Sequence, residues 1–436
     1  MNKITLLTAI FCLAVSTSSS RSEPVVVTPD SVVKLTLAHS PALKSRDEAV
    51  LAASARRRQA DAGLKPQLDT RAQALHFEGL ENQALGPVTI PVIENQYSAS
   101  IGITQPLYTG GRVTRQKQGA RLNEESSRHA RSASSSDLTL QTLTTYWQWS
   151  KTLAQKEAYQ AAITRMNALA TDTRNLEKAG MATDNDRLAV DVSLDQAQLQ
   201  FDEAQQQADL CRIELERLTG REFKPDEIPQ KPVLAPADLL PPPLDNARTQ
   251  ALTNRQELIA LRLAARASDT LVAAARADGR PQLALIARYE QGNPNQRDFP
   301  PDDKWRDDAV IGATLSWNLF DGGLTRARTA EARTRASSDA LQLQAMEESV
   351  VAGVRAAHLS LQHALARRQT ALHAEAGASR NLEVATALWK NGTARHSDVL
   401  DAQSKLTATT AQRLAVEADI ILAHAALRHA TGISRE

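Results

Sequence analysis

The chain has 436 residues, with 51 Lys and Arg against 50 Asp and Glu, for a formal net charge of +1. That balance argues against a general nucleic-acid surface, which needs a basic excess. Aromatics make up only 4% of the residues, sparse for one large compact core. Mean hydropathy is −0.36, and after residue 15 no apolar run approaches the ~20 residues of a spanning helix, which excludes a helical membrane protein but not a β-barrel, whose strands are short and half polar.

In chain order, Lys3, a mostly apolar stretch at 4–15 and small residues at 16–20 read as a secretory signal over residues 1–20. Cys12 follows Phe11 inside that stretch, a poor context for lipid attachment. The mature chain would keep Cys211 alone, so no intrachain disulfide is expected, which suits a large periplasmic or envelope protein. All 18 prolines fall outside two windows, 107–224 and 302–436, both rich in helix formers. The pattern predicts helices at 31–64, 112–179 and 183–219, with strands near 66–78 and 96–107. A segment at 221–245 with seven prolines reads as an extended linker. Helices at 245–278, 324–391 and 394–431 follow, with strands near 281–290 and 309–320.

The second half repeats the first at a period near 212 residues. QPLYTGGR at 105–112 matches WNLFDGGL at 317–324, and KAGMAT at 178–183 matches KNGTAR at 390–395. Gly110 and Gly180 are 70 residues apart, as are Gly322 and Gly392. The fold class is therefore mostly α with a small β portion, a duplicated helix–strand–strand–long helix–helix unit. Each long helix would reach ~100 Å and the two shorter ones together about the same, stacked end to end beside it. Such helices must pack side by side, coiled-coil fashion. Leu400, Leu406, Leu414 and Ile421 recur at intervals averaging seven, and Cys211, Leu215 and Leu218 share one face.

The four strand segments alternate, apolar side chains such as Tyr97, Ile101 and Ile103 opposing Ser98, Ser100 and Thr104. Four strands cannot close a membrane barrel, and an open edge cannot face lipid. Either the sheet is soluble, or several chains share a barrel, two giving eight strands and three giving twelve. The segments 79–96 and 290–308 would then be outer loops. A soluble periplasmic coiled-coil scaffold is the competing reading.

No P-loop, HExxH, GxSxG or paired CxxC is present, so neither an enzyme nor a cofactor or metal site is expected. His358 and His363 are five apart, as are His424 and His429, off the spacing of a helical metal pair, and read as solvated. Arg56, Arg57 and Arg58 read as a wetted helix face, and Tyr146, Trp147 and Trp149 as helix packing at mid-height. Asp398 and Asp401 share a helix face, where Ser397 and the aspartates suit a helix start.

The duplicated layout, the strand-to-helix junctions at Gly110, Gly111, Gly322 and Gly323, and the GTARHSDVLDAQ turn at 392–403 resemble the TolC-type outer-membrane efflux and secretion channels. The resemblance implies a homotrimer, a twelve-stranded barrel in outer-membrane lipid continued by a twelve-helix periplasmic barrel. It also implies docking on a periplasmic membrane-fusion adaptor and an inner-membrane pump of ABC or RND type, with passive export through the conduit. In that family acidic residues of the second tip turn form the periplasmic constriction, and Asp398 and Asp401 match them. Three copies would place six carboxylates in a ring that favours cations. A basic residue in the turn often helps hold the closed state; Ala394 stands at its place, with Arg395 one residue on. Trp389 matches a position that is often aromatic. The first tip turn, with Gly180, Asp184 and Asp186, reads as a helix cap and adaptor contact, with Gly392 at the second. The missing lipid-attachment cysteine leans towards type I secretion.

Overall fold

The computed structural model describes residues 25–433 apart from 80, 82, 91, 235–239, 296, 300 and 301; the leader expected at 1–20, with Cys12, lies outside them. In chain order the elements are β1 (Val25–Val27), α1 (Pro29–His39), α2 (Pro41–Ala62), β2 (Gln67–His76), β3 (Gln83–Leu85), β4 (Val88–Ile90), β5 (Asn95–Tyr108), α3 (Arg112–Lys178) and α4 (Asp184–Thr219). After β6 (Glu227–Pro229) come α5 (Leu244–Asn254), α6 (Gln256–Arg276), β7 (Gln282–Asn293), β8 (Arg306–Ser316), α7 (Leu324–Lys390) and α8 (His396–Thr431). The long helices α3 and α7 have 67 residues each, and α4 and α8 have 36 each. The duplication extends to the backbone: φ is 63° at Gly110 and Gly322, 71° and 73° at Gly180 and Gly392, and 67° and 71° at Gly220 and Gly432.

Two helices expected as continuous are broken. Pro41 restricts the residue before it and lacks an N–H, so the first helix stops at Ser40, whose hydroxyl accepts from the Leu43 N–H at 3.3 Å to start α2. No proline marks the second break. Arg255 is extended, with φ −64° and ψ 122°, and side chains take up the freed carbonyls: Arg262 donates to Leu252 O at 2.9 Å and Gln256 to Asn254 O at 3.2 Å.

In one half of the molecule the helices lie in the order α2, α3, α6, α7; in the other the order is α4, α3, α8, α7. Gly220, at the end of α4, abuts the His39 ring at the end of α1. Alanine dominates the close approaches. On α3 the buried residues include Ala154, Ala158, Ala162 and Ala170; on α8 they include Ala402, Ala411, Ala415 and Ala418. The leucine spacing of α8 does not mark its seam: Leu400, Leu406, Leu414 and Ile421 are only half-buried. Val399, Val416, Ile420 and Leu427 are buried instead. Small residues let the axes approach, so the tightest contact falls on the alanine face and pushes the leucines to its margin.

The largest core cluster lies where the 221–245 segment returns to the helices, uniting Val27, Val32, Tyr146, Trp147, Trp149, Cys211, Leu215 and Phe223. Part of that segment is therefore core, not free linker: Phe223 is buried, and β6 pairs in parallel with β1. The Tyr146 hydroxyl joins both strands, donating to Val27 O at 2.6 Å and accepting from the Gln230 N–H at 2.8 Å. Burial pushes its pKa up to about 12.

The sheet is antiparallel, in the order β2-β5-β7-β8, so the two repeats join through β5 and β7. One face carries the row Leu68–Ile103–Ala287–Ile311, with Thr70–Ile101–Tyr289–Ala309 beside it. The other carries Asp69–Gly102–Arg288–Val310 and Arg71–Ser100–Glu290–Asp308. Pro106 lies in an inner strand, where it removes a ladder donor; a register shift between Pro106 and Tyr108 absorbs it and sets Tyr108 opposite Leu283 on the apolar face. Three boundaries differ from expectation. A short hairpin, β3–β4, occupies part of 79–96. Strand β7 continues to Asn293. Strand β8 starts at Arg306 and ends at Ser316, because Trp317 turns away to donate to Gly279 O at 3.1 Å and Asp321 caps α7 through the Gly323 and Thr325 N–H groups.

Candidate functional site

Two regions carry the expected functional residues: the paired helix tips and the sheet with its junctions. At the first tip Gly180 ends α3, and the Met181 N–H reaches back to Leu176 O at 2.8 Å. Thr183 and Asp186 then form a reciprocal capping box: the Asp186 N–H donates to Thr183 Oγ1 at 3.2 Å, and the Thr183 N–H donates to Asp186 Oδ2 at 3.0 Å. The Thr183 hydroxyl and N–H hold the Asp186 carboxyl below its ordinary pKa. Asp184 pairs with Arg187, which also meets Asp191 at 3.0 Å and Glu177 at 3.4 Å.

The second tip repeats the turn, the Thr393 N–H reaching Leu388 O at 3.0 Å after Gly392. Asp398 Oδ2 accepts from the Arg395 N–H at 3.0 Å, so this carboxylate does helix-start chemistry. Asp401, one turn on, has no hydrogen-bond or ion-pair partner among the described residues, and the Arg395 side chain has no ion-pair partner there either. Asp398, Asp401 and Arg395 are all exposed. The opposite face of the same turns is docked: Val399 and Ala402 are buried with Ala385 against Leu169, Leu382 and Trp389. The tip thus presents Asp398 and Asp401 outward from a fixed helix start.

Spacing rules miss a buried titratable group of this region. His396 is 8% exposed. Its ring lies 5.1 Å from that of Trp389, and its Nε2 lies 3.3 Å from Thr173 Oγ1 on α3. Its sequence neighbours Arg395 and Ser397 are exposed; the sequence signal for His396 is an imidazole at a helix start three residues before Val399, on the same helix face. The histidines expected to be solvated divide. His363 is exposed, but His358 is buried, and His429 hydrogen-bonds Asp137 at 2.8 Å. The Asp137 carboxyl falls below its ordinary pKa, first through that bond. Arg57 is not simply wetted, since it meets the buried Glu124 at 3.1 Å.

At the junctions Gly110 and Gly111 turn the chain from β5 into α3, and Gly322 and Gly323 turn it into α7. The two copies differ in crowding. A Cβ on Gly110 would lie 2.7 Å from Arg280 Cβ and 2.9 Å from Ala277 O, whereas one on Gly322 would meet nothing within 4 Å. Both sites have φ of 63°. Gly322→Ala should therefore cost about 1–2 kcal/mol of left-handed strain, and Gly110→Ala at least ~1 kcal/mol more for overlap. Thermal unfolding of the two variants side by side checks this; equal midpoints would contradict it.

The sheet exposes its apolar face: Ile311 is 87% and Leu68 is 65% exposed. Aromatic groups sit at both ends, Tyr97 stacked on Trp305 at one, and Tyr108, Trp317 and Phe320 exposed at the other. Tyr108 lies eleven positions after Tyr97, so at ~3.3 Å per residue the two ends of β5 are roughly 35 Å apart along the strand. Among the described residues no helix is long and apolar enough to cross a membrane.

A family model described as "Outer membrane efflux protein" matches residues 32–221 and 247–433. The fold is similar to that of the outer membrane protein VceC from Vibrio cholerae, at 18% identity and TM-score 0.79 over 93% of this chain and 96% of that one. A membrane protein from Pseudomonas aeruginosa is similar at 19% identity and TM-score 0.80 over 93% of each chain. The MtrE outer membrane channel of Neisseria gonorrhoeae is similar at 16% identity and TM-score 0.74 over 94% of this chain and 90% of that one. No curated protein matches the chain.

Proposed function

Because this chain belongs to the outer membrane efflux protein family, whose members are passive channels and not enzymes, we propose that three copies of it form an exit duct across the outer membrane and through much of the periplasm. The observation that carries this reading is the sheet itself. Its outer face is apolar and exposed, its other face holds Asp69, Arg71, Arg288 and Glu290, and β2 and β8 each have one unpaired edge among the described residues. An unpaired edge is untenable in lipid, so β8 of one copy pairs with β2 of the next until the ring closes. Eight strands enclose only enough room for side chains, while twelve leave an aqueous lumen in which the charged face is hydrated. The same closure brings α7 against the next copy's α2 and α4, so that four helical layers per copy give a twelve-helix barrel. Exposed Leu341 and Leu359 on α7, and Leu199 and Ile213 on α4, supply apolar surface for that contact.

The tips then lie at the far periplasmic end. Asp398 and Asp401 from three copies form the constriction, with Arg395 and Trp389 beside it, and the turns at Gly180, Asp184, Asp186 and Gly392 meet a periplasmic adaptor joined to an inner-membrane pump of ABC or RND type. The duct serves a tripartite efflux pump or a type I secretion system. A soluble coiled-coil scaffold would leave the apolar sheet face in water, which the exposure of Ile311 and Leu68 disfavours. The test is detergent extraction followed by mass measurement and planar-bilayer recording. A complex of three chains that conducts ions is expected; a soluble single chain without conductance would overturn the proposal.

A further inference from the structure

The two repeats keep a constant numbering offset along each packed element, so the seam inside the chain is a template for a seam between copies. Gln67 pairs with Thr104 in the first repeat and Gln282 with Ser316 in the second. Gln282 lies 215 positions after Gln67, and Ser316 lies 212 after Thr104. The first offset carries α2 onto α6, and the second carries α3 onto α7. Inside the chain the repeats meet where α3 packs on α6. Closing the ring sets α7 of one copy on α2 of the next, and the same two offsets name the counterparts.

In the seam within the chain, Gly119 faces Leu271. A Cβ on the glycine would lie 3.5 Å from Leu271 Cγ and 3.6 Å from Ala267 O, which is ordinary contact. The counterpart of Gly119 is Glu331, and that of Leu271 is Arg56. An apolar contact within the chain is thus replaced, on its two free edges, by opposite charges. The Ser126 hydroxyl donates to Ala260 O at 2.8 Å across the same seam. The counterparts, Ser338 and Ser45, keep the donating hydroxyl and a backbone to receive it. Gly119 and Ala260 are buried, whereas Glu331, Arg56, Ser338 and Ser45 are all exposed in the single chain. Arg56 and Glu331 have no ion-pair partner among the described residues. Their neighbours are engaged, Arg57 with Asp61 and Glu124, and Arg328 with Asp278. In the sheet, where Ile103 stands opposite Ala287, the offsets set Leu315 opposite Ala72 of the next copy, so the apolar face runs on unbroken.

We infer that Arg56 of one copy forms an ion pair with Glu331 of the next, a charge lock that the seam within the chain lacks. This rests on the duct reading given above and deepens it, naming the contact and the register by which a second copy of this chain is recognised. A slide of one helical turn would face Glu331 with Ala52 or Ala60 and leave both charges without partners, so the pair selects a single register.

The full-length protein in detergent tests this by mass measurement. Arg56→Glu and Glu331→Arg each set like charges against one another in all three seams, so each should weaken assembly roughly ten-fold or more per seam. Arg56→Glu combined with Glu331→Arg should restore the trimer. In a second arm, Arg56→Cys with Glu331→Cys should give covalent dimers and trimers on oxidation, because the template contact brings thiols at these positions within disulfide reach. Within one chain α3 and α6 lie between the two positions, so such a bond joins copies, and Cys211 is buried. A double charge variant that assembles no better than the single ones would overturn the pair, as would thiols that stay unjoined in a trimeric protein. If charge reversal prevents folding, the thiol arm still decides. A conducting trimer that fails either arm sinks only this pair; a wild-type chain that never assembles sinks the duct reading, and the pair with it.

Discussion

Removing both tip carboxylates, Asp398→Ala with Asp401→Ala, should raise single-channel conductance several-fold and weaken the preference for cations over anions. Two effects contribute. In the proposed trimer six carboxylates around a narrow axis would attract cations and exclude anions, so their loss would lower selectivity. Asp398 also accepts the Arg395 N–H, so alanine there loosens the start of α8 by ~0.5–2 kcal/mol and lets the tip widen. Asp398→Asn with Asp401→Asn separates the two, because asparagine still accepts the N–H while carrying no charge. The asparagine pair should lose selectivity with a smaller rise in conductance. Reversal potentials in a salt gradient measure the first, and current at fixed voltage the second. Unchanged values of both in the alanine pair would remove Asp398 and Asp401 from the constriction.

The largest effect on stability is expected at Tyr146. This side chain is fully buried, packs edge-on against Trp147 at 5.1 Å, and holds β1 and β6 through one hydroxyl. Tyr146→Ala should cost ~3–5 kcal/mol through the cavity alone. Tyr146→Phe keeps the ring but leaves the Gln230 N–H and Val27 O without their partner, at a cost of ~1–3 kcal/mol. In both variants the 221–245 segment should be cut faster in limited proteolysis, since β6 loses its anchor. A hydroxyl kept neutral by burial also predicts alkaline instability. The folded pKa of about 12 lies above the ordinary 10.0, so stability is full below pH 10 and is lost as pH rises toward 12. Ultraviolet titration should find one tyrosine that ionises only as the protein unfolds. Proteolysis of Tyr146→Phe at the wild-type rate would contradict the clamp.

Some features were legible without any structure. Proline exclusion follows from a local rule, the loss of one N–H and a clash one turn back, and it locates α3, α4, α7 and α8. The junction and tip glycines sit where the backbone needs positive φ, and that need is again local. Alternation in 97–104 separates the two faces of β5 because successive side chains point to opposite sides. Asp398 was also placed at a helix start by residue type alone.

Other features depend on partners far apart in sequence. The break at Arg255 has no punctuating residue and stands because Arg262 and Gln256 satisfy the freed carbonyls. The heptad leucines of α8 lost the seam to alanines, since the closest approach of two helices depends on both surfaces at once. Periodicity could not say that β5 would pair with β7 and join the repeats, nor that Phe223 would leave a proline-rich segment for the core. The sharpest case is His396. By spacing it is one more scattered histidine; only the docking of α8 on α3 brings Thr173, 223 positions away, against its ring and removes the water. Local stereochemistry thus determined which elements form and where they turn, whereas the environment of each buried polar group was decided by long-range packing, because desolvation and hydrogen bonding depend on what the fold brings alongside.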